Sequence, residues 1–125
     1  MILDTNALSA AADDDPAVIA ILSHADQLAI PVIVLGEYRY AIAQSRHRLR
    51  YSNWLDALVL DCLVLNVSEE TTHHYAAINL ELKQIGKPIP TNDLWIAALC
   101  RLYSLPILSN DRHFDFVPGN RRIGW

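Results

Sequence analysis

Apolar residues along this chain alternate between short uninterrupted runs and longer stretches of helical spacing. Met1 to Asp4 predicts a short strand, and Leu28 to about Val32 is an uncharged, β-branched run suited to a strand buried on both faces. Cys62 to Val67 and Pro106 to Ser109 are two further strands by the same reading, and Arg122 to Trp125 predicts a short edge strand. Between them, Asp15 as N-cap and Pro16 at the first position start a helix that runs to about Gln27. Leu35, Tyr38 and Ile42 recur at helical spacing, which leaves Glu37 and Ala41 on a flank. A helix from about Arg46 to Leu60 carries Tyr51, Trp54, Leu55 and Leu58 on one stripe.

Ser68 caps the next predicted helix, whose stripe is Tyr75, Ile78, Leu82 and Ile85 and whose end is Gly86. Thr91 or Asn92 caps a helix starting at Asp93, which is apolar nearly all round and therefore deeply buried. Strands alternating with helices imply right-handed crossovers and a mostly parallel central sheet in a three-layer α/β/α domain. No repeat or linker interrupts the pattern, so residues 1–125 are expected to form a single domain.

Composition narrows the class of protein. Hydrophobic residues make up 52% and charged ones 19%, as in an ordinary globular chain. No apolar run approaches the roughly 20 residues of a membrane span, and no basic stretch precedes an apolar segment at the N-terminus. Cys62 and Cys100 lie inside apolar segments, as core thiols do, so a reducing cytoplasm is expected. The net charge of −4 argues against a protein that coats nucleic acid through its overall field, although it leaves a nuclease open.

Four acids change the picture. Asp4, Glu37, Asp93 and Asp111 each border an apolar segment, at positions that belong to the carboxyl rim of a parallel sheet, where functional crevices lie. Singly, each has a structural explanation: a strand-ending turn for Asp4 or Asp111, a helix dipole for Asp93, a solvated helix face for Glu37. Together they come from four separate elements and meet only through the fold. Oxygen ligands without accompanying histidine or thiolate suit a hard cation, Mg²⁺ or Mn²⁺. Thr5, Asn6, Asn92, Ser109 and Asn110 stand beside the acids and can orient carboxylates, water or phosphate. His73 and His74 point different ways on a helix and read as boundary residues, and Trp54 and Trp95 as packing. The Arg46, Arg48, Arg50 cluster is either a solvated face, an oligomer contact or a phosphate-contacting patch; Arg112, beside Asp111, is the better candidate for touching a phosphate.

Ile2-Leu3-Asp4-Thr5-Asn6, Gly36-Glu37, Pro88 to Ala98 and Leu108-Ser109-Asn110-Asp111-Arg112-His113-Phe114 resemble, in order, the motif series of PIN-domain ribonucleases. The resemblance is greatest to VapC-type toxins of bacterial toxin–antitoxin pairs. It implies a metal-dependent endoribonuclease with Asp4, Glu37, Asp93 and Asp111 as catalytic and metal-binding acids, a Mg²⁺ or Mn²⁺ cofactor, a homodimer and a cognate antitoxin. Where the family usually has threonine ahead of the last acid, this chain has Ser109, which keeps the hydroxyl. Some members carry an acid just before the phenylalanine; here that position is His113, so no fifth carboxylate carries over, and Asp115 lies beyond Phe114 and is set aside. The alternative from a different class is a catalytically silent PIN-like protein-binding module. Phosphoryl transfer through Asp4 is disfavoured because Asn6 stands where a phosphatase would have a second aspartate.

Overall fold

Each strand the chain forms is shorter than the apolar segment that contains it. In the computed structural model, which describes residues 1–125, β1 is Ile2–Leu3, β2 Ala29–Pro31, β3 Leu63–Leu65, β4 Ile107–Leu108 and β5 Arg122–Ile123. They form one sheet in the order β3-β2-β1-β4-β5, and every pairing is parallel. Helices flank it as α1 Thr5–Ala12, α2 Pro16–Ser23, α3 Val32–Ala43, α4 Arg48–Leu60, α5 Glu69–Gln84 and α6 Thr91–Tyr103. The result is the expected α/β/α architecture, and β1, β2 and β4 are buried on both faces.

Several local expectations shift. α1 is a helix the periodicity did not announce: Thr5 to Ala12 is alanine-rich, and Asp4 caps it by accepting from Thr5 N. The strand read as Leu28 to Val32 stops at Pro31, because α3 begins at Val32; a short apolar run does not by itself distinguish a buried strand from a buried helix. α2 ends at Ser23 rather than Gln27, with Ser23 Oγ donating to the carbonyl of Ala20. α4 begins at Arg48 because Ser45 Oγ accepts from His47 N and holds a turn there. α6 begins at Thr91 with Pro90 as its extended N-cap, so neither Thr91 nor Asn92 caps it and Asp93 stands in the first turn.

Ile85 falls past the end of α5 and is exposed, while Gly86 turns the chain with φ 68°. Among the expected stripes, Tyr38, Ile42, Leu55, Ile78 and Leu82 enter the core. α5 and α6 pack through Tyr75 stacked on Trp95 at 4.0 Å, and Trp54 meets Tyr38 edge-on at 6.1 Å, so both tryptophans are packing residues. Cys62 and Cys100 are free thiols, and burial pushes the Cys100 thiol up to about 12. No helix is long and apolar enough to cross a membrane.

Strands β1 to β3 step one way across the sheet and β4 returns beside β1 before β5 continues outward. The direction therefore reverses between β1 and β4, which opens a crevice beyond their carboxyl ends. After β4 the chain makes a 3-10 turn, Arg112–Phe116, whose Phe114 is fully buried. Phe114→Ala should cost about 3–5 kcal/mol by urea unfolding, through the cavity left beneath that turn.

Candidate functional site

Asp4 ends β1 and caps α1, and its carboxylate is almost wholly buried at the strand reversal. A carboxylate there needs hydrogen bonds, and it has three. Oδ1 accepts from Thr5 N at 2.8 Å, while Oδ2 accepts from Ser109 Oγ at 2.6 Å and Asn6 Nδ2 at 3.2 Å. Ser109, itself fully buried, accepts from Asn6 Nδ2 at 3.2 Å and from Asp111 N at 2.9 Å. Asn6 Oδ1 in turn accepts from Asn110 N at 3.1 Å. The end of β1 and the loop after β4 are thereby tied by side chains as well as by the ladder bond Asp4 N to Leu108 O at 3.2 Å.

The other acids converge on this joint. Thr5 Oγ1 donates to Glu37 Oε1 at 3.1 Å, which draws the flank of α3 to the start of α1. Asp111 caps the 3-10 turn by accepting from His113 N at 2.9 Å. Asp93, in the first turn of α6, meets His113 Nδ1 at 3.2 Å, and the same nitrogen lies 3.0 Å from Asp111 Oδ1. One ligand atom each from Asp93, Asp111 and His113 falls within 4.8 Å of the others. Three of the four acids thus occupy helix N-termini, where the backbone dipole favours negative charge.

That dipole does not cancel the crowding. Burial raises the carboxyl of Asp4 above its usual range against the hydrogen bonds from Ser109 and Thr5, and the charges of Glu37 and Asp111 add to the rise. Burial likewise raises Asp93 to about 6; the His113 hydrogen bond opposes this, and Asp111 and Asp4 reinforce it. A cluster of carboxylates held in this state fits a divalent cation, which would relieve the repulsion and take oxygen ligands.

Not every expected residue joins. Thr5, Asn6 and Ser109 are in the network; Asn92 is exposed in the first turn of α6 and takes no part in it. Arg112 is exposed and makes none of the site's hydrogen bonds. Asp115 points away, held by Arg122 at 2.8 and 2.9 Å, and that guanidinium keeps its carboxyl below the usual range. Arg46, Arg48 and Arg50 are exposed, and Arg50 lies over the Tyr51 ring at 5.4 Å. The sequence marked His113 only as standing where some family members carry an acid; its contact with Asp93 and Asp111 went unread, and the signal for it was the two-residue spacing from Asp111 that an aspartate-capped turn folds back on itself.

The PIN-domain family profile matches residues 1–120. A curated relative, ribonuclease VapC5 of Mycobacterium tuberculosis, is 29% identical over 97 residues, 75% of this chain and 71% of that one. The solved structure of VapBC2 from Rickettsia felis bound to a promoter DNA fragment includes a chain with TM-score 0.85 and 26% identity, over 99% of this chain and 97% of that one. VapBC-5 from M. tuberculosis, described as a member of the VapBC family of toxin–antitoxin systems, gives TM-score 0.76 and 25% identity over 98% and 94%.

Two outcomes follow from the electrostatics and the joint. Asp93 ionises later in the folded chain than in the unfolded one, so its contribution to metal-free stability should fall as pH rises from about 4 to about 6. Asp93→Asn should flatten that dependence and raise the metal-free melting temperature at pH 7 by a few degrees, read by calorimetry. Ser109→Ala leaves Asp4 Oδ2 and Asp111 N short of a partner and should cost about 1–3 kcal/mol in urea unfolding, with Ser109→Thr recovering most of it.

Proposed function

The chain belongs to the PIN-domain family, and on that premise we propose that it is a metal-dependent endoribonuclease, the toxin of a toxin–antitoxin pair. The observation that carries the reading is the convergence of Asp4, Glu37, Asp93 and Asp111, from four elements, on the reversal between β1 and β4. Relatives named ribonuclease VapC and solved VapBC assemblies support the activity and the partner.

In this proposal Asp4, Asp93 and Asp111 hold Mg²⁺ or Mn²⁺, directly or through water, and Glu37 completes the donor set or takes a proton from the attacking water. A bound ion supplies Lewis acidity toward phosphate and makes water more acidic. The rest is work for this chain's own groups. Ser109 and Thr5 N fix both oxygens of Asp4, so that carboxylate has one orientation in which to act. Thr5 Oγ1 leaves Glu37 Oε2 free of that bond. The reaction adds water across a phosphodiester, breaking one P–O bond, and the oxygen that leaves takes up a proton.

A small antitoxin is the partner in this reading, and an acidic crevice suits a basic segment that would occupy it. A homodimer is carried as part of the same proposal, with the Arg46 to Arg50 cluster among its candidate contacts or those of RNA.

Purified chain incubated with structured RNA and Mg²⁺ or Mn²⁺ should cleave it, and EDTA should stop the cleavage. Asp4→Asn should reduce the rate by about a hundredfold or more while the chain stays folded. Full metal-dependent cleavage by the Asp4→Asn protein would remove the acid cluster from the mechanism.

A further inference from the structure

One side chain at the crevice has no part in the acid set. His113 presents Nδ1 to Asp111 Oδ1 at 3.0 Å and to Asp93 Oδ2 at 3.2 Å. Its placement is imposed from both sides: its own N–H donates to Asp111 Oδ1, and the next residue, Phe114, is locked in the core. The ring stands at the mouth of the crevice, with its side chain 44% exposed and Phe116 tilted beside it at 6.4 Å.

The geometry points to His113 as a metal ligand, which with Asp93 and Asp111 makes a mixed nitrogen and oxygen site that favours transition ions such as Mn²⁺ over Mg²⁺. This rests on the metal-dependent reading above. A single N–H cannot donate in line to two carboxylates at once, whereas an ion set among three donors meets all of them. Neighbouring donors of an octahedron with bonds of about 2.1 Å are about 3.0 Å apart. The two observed nitrogen to oxygen separations match such an edge.

The choice of donor then bears on the choice of metal. Mg²⁺ prefers oxygen and keeps its waters, while imidazole strengthens the hold on first-row transition ions. A carboxylate at this position would have added charge to an already crowded cluster; an uncharged imidazole adds a donor without adding repulsion.

The test is to load the full-length chain with Mn²⁺ without RNA and read the bound ion by pulsed electron paramagnetic resonance. A ¹⁴N coupling is expected in the wild type and should vanish in His113→Gln. Mn²⁺ affinity should fall about tenfold in that variant, with Mg²⁺ affinity little changed. Mn²⁺ bound in an Asp4-dependent way with no nitrogen coupling would overturn the proposal and leave the acid-only metal site standing. A coupling that persists in His113→Gln would overturn it as well, by assigning the nitrogen to another histidine. Absence of any Asp4-dependent Mn²⁺ binding would overturn this proposal together with the metal-dependent reading.

Discussion

The site depends on one buried hydrogen bond, Ser109 Oγ to Asp4 Oδ2 at 2.6 Å. It lies where the sheet reverses direction, so it joins residues 105 positions apart in the chain at the one place where two neighbouring strands lead away from each other. The same hydroxyl takes the N–H of Asp111, and the same carboxylate takes the N–H that opens α1. A charge-assisted bond of this kind, shielded from water, is both stronger and more directional than a solvated one. The orientation of Asp4, the entry of α1 and the position of Asp111 are therefore fixed together. A change at Ser109 should be felt at all three.

Around that joint the fold sets stability against chemistry. Capping positions at α1 and the 3-10 turn, and the first turn of α6, give Asp4, Asp111 and Asp93 favourable backbone dipoles. Burial and mutual repulsion act the other way, and Asp93, raised to about 6, is where the imbalance is greatest. Groups shifted in this way cluster at functional sites. Elsewhere the chain settles its charges: Asp115 is close in sequence to Asp111 but pairs with Arg122, and Arg101 with Glu81 at 2.6 Å.

Much of this was legible in the residues. Asp15-Pro16, Ser68 with Glu69 and Glu70, and Gly86 mark helix ends through local chemistry that does not depend on the rest of the fold. Less legible were boundaries inside apolar runs. Val32 to Leu35 satisfies a buried strand and a buried helix equally, and α1 has alanines where a wider apolar stripe would have announced it.

By itself the sequence determined the alternation of strands and helices, the four acids at segment edges and the motif order that marks the family, because each is a matter of residue type and spacing along the chain. Only the tertiary structure decided which polar neighbours entered the network. Asn92 and Arg112 are closer to an acid in sequence than Asn6 is, but only Asn6 spans from Asp4 to Ser109 and Asn110. His113 turned inward onto Asp93, twenty residues away, because the cap at Asp111 and the burial of Phe114 leave the ring at the crevice. Spacing says which side chains are near one another on a single element; whether they meet across elements depends on the strand order and on which neighbours the core has already fixed.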